Sequence, residues 1–117
     1  MTRIHRNDLE QGRIDLSALD SGDRLPPIHP GDVLREDFLA AMGMTQYALA
    51  KAMKVDPRRI NEIVQGKRAV SADTALRLSL VFGTTAEFWM NLQSQHDLAT
   101  ARTTLGDTLS DVKPVAA

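Results

Sequence analysis

The sequence predicts an all-α fold, a compact bundle of about five helices joined by short loops. Hydrophobic residues make up 43% of the 117-residue chain, which is enough to fill the core of one domain with tails. Aromatic residues account for only 4%, and the Val/Ile/Thr clusters typical of strands are missing. Helix caps and helix-stopping glycines follow each other at short intervals between residues 28 and 105.

The first two predicted helices are separated by a glycine. Pro30 suits the first turn of a helix, where its missing N–H costs nothing. Gly43 favours a left-handed stop, and Thr45 can cap the second helix. We expect the apolar residues of these two helices to face the core: Val33, Leu34, Phe38, Leu39, Met42, Leu49, Ala50 and Met53.

The third helix has the most specific start signal in the chain. Asp56 is a capping residue, and Pro57 follows it at the first helical position. Ile60, Ile63 and Val64 are expected to form the buried face, and Gly66 to end the helix.

Two further helices follow. Ser71 is predicted to cap a fourth helix over residues 72–82, which Gly83 ends. Thr84 and Glu87 have the spacing of a capping box for a fifth helix, which continues to about Thr103. In the fourth helix the side chains available to the core are Ala75, Leu76, Leu78 and Leu80, and the fifth helix runs through Phe88, Trp89, Leu92 and Leu98.

Three regions are predicted along the chain. Residues 1–27 form an acidic N-terminal arm without a sustained helical period, closed by Pro26, Pro27 and Pro30. Residues 28–105 form the helical domain, and residues 106–117 form a flexible C-terminal tail.

Several functional classes are disfavoured. Without cysteine there is no disulfide or thiolate metal site, and no apolar run approaches the roughly 18 residues of a membrane span. His5, His29 and His96 lack metal-ligand spacing, and no Ser/His/Asp or phosphate-cradling glycine pattern occurs. We therefore expect a soluble, cytoplasmic protein that is not an enzyme and has no cofactor.

The charge is unevenly distributed. The segment from Thr45 to Arg77 contains seven basic and three acidic residues, so it carries a net charge of +4, and the rest of the chain carries −5. A basic segment in an acidic chain is typical of a nucleic-acid-binding protein with a second role elsewhere. Charge alone fits an ordinary basic, solvated surface equally well.

The second and third helices have the register of a helix-turn-helix. Only a few residues join them, Ala50 is small where the helices cross, and Val55 fills the turn. If Ile60, Ile63 and Val64 face inward, a rotation of about 100° per residue turns other side chains outward. Arg58, Glu62 and Gln65 then point away from the core, with Arg59 and Asn61 on the flanks.

These outward side chains match the chemistry of base edges. Arg pairs with guanine, Asn and Gln with adenine, and Glu accepts from cytosine. The base-edge candidates are Arg58, Arg59, Asn61, Glu62 and Gln65; the phosphate candidates are Thr45, Gln46, Lys51, Lys54, Lys67 and Arg68. The alternative is a solvated surface without a nucleic-acid partner.

Two long stretches of sequence carry a family resemblance. They are IHPGDVLREDFLAAMGMTQYALAKAM and INEIVQGKRAVSADTALRLSLVFGTTAEFWMNLQSQHDLATAR, with HPG, SADTALRL and FGTTAEFWMNLQ as their specific parts. Over residues 28–102 the chain resembles HigA-type antitoxins, Xre/Cro-like helix-turn-helix proteins with a lambda-repressor-like fold. The resemblance implies a homodimer that binds a palindromic operator in its own promoter and neutralises a HigB-like toxin, a RelE-like mRNA-cleaving enzyme. The acidic arm departs from the short lead-in of the family.

Two further surfaces are candidates for protein contacts. Phe88, Trp89 and Leu92 could serve a dimer interface, although we expect one of the two rings to pack in the core. The arm could either bind the toxin or only keep the protein soluble. Its toxin-contact candidates are Ile14, Leu16, Leu19, Asp15 and Asp20. Rival functions are a stand-alone transcriptional regulator and a protein-interaction module that has lost DNA binding.

Overall fold

The computed structural model describes residues 28–115, and within that range it is built from helices and loops without a strand. Helix α1 begins at Pro30–Val33 and continues through the π-helical segment Leu34–Ala40. It is followed by α2 (Gln46–Met53), α3 (Pro57–Val64), α4 (Ala72–Phe82) and α5 (Ala86–Leu105), and then by a 3-10 segment, Gly106–Asp111. The predicted all-α fold of about five helices is confirmed.

Three predicted helix starts are confirmed by their caps. The Thr45 hydroxyl accepts the Ala48 N–H at 3.0 Å, and the Asp56 carboxylate accepts the Arg58 N–H at 2.8 Å. The Ser71 hydroxyl accepts the Thr74 N–H at 3.3 Å. Each bond satisfies one backbone donor that the first turn of a helix leaves unpaired.

The start of α1 has a cap that the sequence did not reveal. His29 lies directly before Pro30, and its Nδ1 accepts the Gly31 N–H at 2.8 Å. The Asp32 carboxylate accepts the His29 N–H in return, at 3.4 Å. A Cβ at Gly31 would lie 1.9 Å from the Ile63 carbonyl oxygen, so the start of α1 packs closely on the end of α3.

Helix α5 starts one residue later than predicted. Thr85, not Thr84, caps it, because its hydroxyl accepts the Phe88 N–H at 3.0 Å. Thr84 instead accepts the Trp89 Nε1–H at 2.7 Å. The Thr85 hydroxyl therefore caps the helix, and the Thr84 hydroxyl binds the indole. The prediction of Thr84 as the cap, made from its spacing to Glu87, was wrong.

The core lies where the five helices meet. Its fully buried side chains include Leu34, Leu49, Ile60, Ile63, Leu78 and Trp89. The Gln93 carboxamide reaches this core from α5 and accepts the Val70 N–H at 2.7 Å, which ties the loop before α4 to the last helix. Burial of a side chain of the size of leucine contributes roughly 1.5–3 kcal/mol.

Three apolar residues expected to face the core are exposed instead: Met42 (58%), Leu76 (58%) and Leu80 (85%). In α4 the buried stripe runs through Thr74, Ala75 and Leu78. Leu76 and Leu80 are four residues apart and share a different side of the helix, so apolar character alone gave the wrong face.

Residues 106–115 follow α5 and belong to the predicted flexible tail. Residues 106–111 form the 3-10 segment, and every residue from 106 to 115 is exposed. None of the described helices combines the length and the apolar character that crossing a membrane requires.

Candidate nucleic-acid interface

Helices α2 and α3 cross in the predicted helix-turn-helix arrangement. Ala50 is completely buried at the crossing, and Val55 packs against the core from the turn. The Val55 N–H donates to the Ala50 carbonyl at 3.0 Å. The turn depends on Lys54, which adopts a left-handed conformation (φ 62°), an unusual one for a residue other than glycine.

The orientation of α3 is the one the apolar spacing predicts. Ile60 and Ile63 are completely buried, and Val64 is 7% exposed. Arg58, Asn61 and Gln65 are exposed. An α-helix with its side chains is about 10–12 Å across, which matches the roughly 12 Å width of the DNA major groove.

Two of the candidate residues are joined across the helix-turn-helix. Asn61 Nδ2, on α3, donates to Gln46 Oε1 at 3.2 Å, and Gln46 is the first residue of α2. The bond couples a base-edge candidate to a residue beside the N-terminal amides of α2, which are suited to phosphate.

Arg59 does not share the environment of Arg58. Its Nη1 lies 2.9 Å from Asp73 Oδ1 and donates to Thr74 Oγ1 at 3.3 Å, and 28% of its side chain is exposed. The sequence predicted it on the flank of the outward face as a base-edge candidate. The structure instead directs its guanidinium to the first turn of α4, because that turn offers a carboxylate and a hydroxyl.

Glu62 is also engaged within the chain. Arg68 Nε donates to Glu62 Oε1 at 3.0 Å, and a third of the Glu62 side chain is exposed. This pair joins a base-edge candidate to a phosphate candidate. Both partners retain solvent access, so the contact is a surface ion pair of the kind that contributes about 1 kcal/mol or less.

The remaining phosphate candidates lie at the C-terminal end of α2 and directly after α3. Lys51, Lys54 and Lys67 are exposed. Lys51 Nζ lies 5.6 Å above the ring of Tyr47, which is 62% exposed. Lys67 follows α3 directly, where Gly66 (φ 76°) ends the helix. Exposed positive charge thus lies on α2 and directly after α3, and lysine side chains of this kind suit contacts with a phosphate backbone.

Hydrogen bonds from Arg77 and Arg59 lower the pKa of Asp73. The hydrogen bond from Arg77 is the larger cause and the one from Arg59 the next. No group of His, Asp or Glu residues within residues 28–115 is arranged to hold a metal ion.

The residues predicted to contact a protein partner differ in how exposed they are. Trp89 is completely buried and its indole nitrogen is satisfied by Thr84, so it belongs to the core and is not available for a dimer interface. Phe88 is 38% exposed, and Leu92 is partly buried against the core. The toxin-contact candidates in the arm lie outside the described residues.

Known proteins resemble this chain over most of its helical part. The helix-turn-helix family model matches residues 34–89. Virulence-associated protein I of Dichelobacter nodosus is 52% identical over 79 residues, which cover 68% of this chain and 73% of that protein. Antitoxin HigA-1 of Vibrio cholerae serotype O1 is 35% identical over 89 residues, 76% of this chain and 84% of that protein.

A solved structure gives the same result in three dimensions. Pseudomonas aeruginosa antitoxin HigA, determined with the higBA promoter, superposes with a TM-score of 0.74 at 45% identity. The match covers 77% of this chain and 99% of that one. By sequence and by fold, this chain belongs to the HigA-type antitoxins, a family of Xre-like helix-turn-helix proteins.

Proposed function

We propose that the protein is an antitoxin that binds operator DNA in its own promoter as a homodimer and represses transcription. The observation that carries the proposal is the exposed side of α3, where Arg58 and Asn61 are exposed, followed by the exposed Gln65 and Lys67 directly after the helix. Arginine and the two amides are the side chains that make bidentate contacts with guanine and adenine. The HigA structure solved with the higBA promoter has a closely similar fold.

The proposed binding has an electrostatic and a sequence-specific part. Lys51, Lys54 and Lys67 supply charge to phosphates, and each such contact adds to the dependence of affinity on salt. The test is fluorescence anisotropy with the protein's own promoter fragment and a scrambled fragment at several salt concentrations. We expect tighter binding to the promoter fragment and a linear fall of log affinity with log salt. Equal affinity for both fragments would contradict operator recognition.

We further propose that the protein acts as a homodimer. Two copies of α3 must reach successive major grooves, about 34 Å apart, and one eight-residue helix reaches only one. Phe88 and Leu92 on α5 are the interface candidates, since Trp89 is buried. Sedimentation equilibrium with and without the promoter fragment gives the stoichiometry, and a single protomer on a complete operator would contradict a dimer.

The proposed partner is a HigB-like, RelE-like toxin that cleaves mRNA. Such an enzyme needs positive charge near its RNA site, and the arm offers Asp15 and Asp20 among Ile14, Leu16 and Leu19. Co-expression with the product of the adjacent gene, with and without residues 1–27, tests the arm directly. Capture by the full chain alone would support it. Equal capture by both would assign toxin binding to the helical domain.

The alternative function is a stand-alone transcriptional regulator. The matched relatives include one named as an antitoxin and one named without a toxin partner. If no small basic toxin is encoded beside this protein and co-expression captures no partner, the regulator is the better description. The DNA-binding part of the proposal is common to both.

A further inference from the structure

Three helix ends meet at the Asp73 carboxylate. Asp73 Oδ1 accepts from Arg59 Nη1 at 2.9 Å and from Arg77 Nε at 2.7 Å. Arg77 Nη1 also donates to the carbonyl oxygen of Met53, the last residue of α2, at 2.7 Å. One carboxylate thus connects the first turn of α4 to the first turn of α3 and, through Arg77, to the end of α2.

These bonds supply what the buried face of α3 lacks. Ile60 and Ile63 hold the helix to the core by hydrophobic contact, which is not directional. Charged hydrogen bonds are directional and stronger than neutral ones. Arg59 lies between Arg58 and Asn61 in the same turn of helix. Fixing Arg59 therefore fixes the direction in which the two exposed side chains point.

We propose that Asp73 is a positioning residue for operator recognition, which holds α3 through Arg59 at the angle that directs Arg58 and Asn61 to base edges. Arg59 acts through this contact and is not itself a base-contacting residue. The inference rests on the proposed operator binding, and it adds a specificity role for a residue outside the recognition helix.

The direction in which DNA affinity changes when the Asp73 carboxylate is removed separates a positioning role from a general electrostatic effect. Removing a carboxylate makes the DNA-facing side more positive, so charge alone predicts tighter binding to every sequence. A positioning role predicts the opposite on the operator and no loss on unrelated DNA. The ratio of operator to scrambled affinity is therefore the decisive quantity, because a uniform charge effect cancels in it.

The first test is Asp73→Asn with Glu36→Gln as the matched control. Glu36 also pairs with an arginine, Arg35, at 2.9 Å, but on α1 and away from the network. Both changes remove one negative charge. We expect Asp73→Asn to lower the affinity ratio about tenfold, and Glu36→Gln to leave it unchanged. An unchanged ratio in Asp73→Asn, with the wild type still selective, would overturn the inference.

A double-mutant cycle tests whether Arg59 acts through Asp73. We expect Arg59→Ala to lower the ratio in the wild type and to have little further effect in Asp73→Asn. Additive losses, together with a changed preference at one base pair, would instead make Arg59 a base-contacting residue. Circular dichroism and melting temperature check the fold of each variant.

Arg77→Lys is the second variant should Asp73→Asn unfold. It keeps the positive charge of Arg77, but an ammonium group cannot reproduce the forked contact to Asp73 and the Met53 carbonyl. A lowered ratio is expected, and an unchanged one would contradict the inference. A wild-type protein that does not distinguish the operator from scrambled DNA would instead refute the proposed function.

Discussion

The two ends of α3 are held by different kinds of contact. The N-terminal end is fixed by directional bonds, from the Asp56 cap to the pairs Arg59–Asp73 and Asn61–Gln46. The C-terminal end is held chiefly by close packing, because Gly31 lies against the Ile63 carbonyl, with the surface pair Glu62–Arg68 beside it. The first kind orients side chains that face base edges. The second holds the segment from Gly66 to Arg68, which carries the charges suited to phosphate.

The largest expected effect is at the packed end. Gly31→Ala would place a Cβ 1.9 Å from the Ile63 carbonyl oxygen, and a backbone atom cannot rotate away. We expect a loss of about 3 kcal/mol in the free energy of unfolding, at the upper end of overpacking costs, measured by urea denaturation. Gly43→Ala is the control, since its Cβ meets nothing within 4 Å and only its positive φ of 63° costs energy. Equal losses would mean that the contact between α1 and α3 is not tight.

The next largest effect is a loss of operator affinity on changing a residue at the N-terminal end of α3. Arg58→Ala should weaken operator binding by roughly 1–3 kcal/mol and relax the preference at one base pair, because an exposed arginine on α3 is placed for a bidentate contact. Binding to a set of operators with single base-pair changes measures it. Arg102→Ala, an equal loss of charge at the end of α5, is the control. A uniform loss over all operators would make Arg58 a phosphate-contacting residue.

Lys67→Ala should have a smaller and less selective effect. Lys67 follows the end of α3 and is exposed, with a side chain that carries charge but no base-specific geometry. We expect affinity to fall alike for operator and scrambled DNA, and the slope of log affinity against log salt to fall by about 1. A change in base preference would move Lys67 to the base-contacting set.

The sequence was sufficient for the hydrophobic and capping features of the fold. The side of α3 that faces inward follows from Ile60, Ile63 and Val64, and capping residues such as Thr45 and Ser71 have local signatures. The pairing of Arg59 with Asp73 could not be predicted, because it depends on where the first turn of α4 lies relative to α3, fourteen residues later in the chain. The exposure of Leu80 likewise depends on how α4 is rotated against its neighbours.

The cap of α1 could not be predicted either, because histidine is an uncommon capping residue. The His29 cap leads to the smallest expected effect, a dependence of stability on pH. Burial is the main cause of the lowered pKa of His29, and the neighbouring His96, whose ring centre is 4.8 Å away, adds to it. Asp32 and Asp97 act in the opposite direction.

The sign of the pH effect follows from this shift. Because the folded pKa lies below the unfolded value of about 6.5, the unfolded state binds more protons between the two values. Stability should therefore fall as the pH is lowered from about 6.5 through the folded pKa, where protonation also removes the acceptor for the Gly31 N–H. His29→Asn keeps a capping side chain but cannot titrate, so its urea midpoint should vary less between pH 7.5 and pH 5, a range chosen to span the histidine pKa. Parallel curves for the two proteins would show that His29 does not couple the α1 cap to pH.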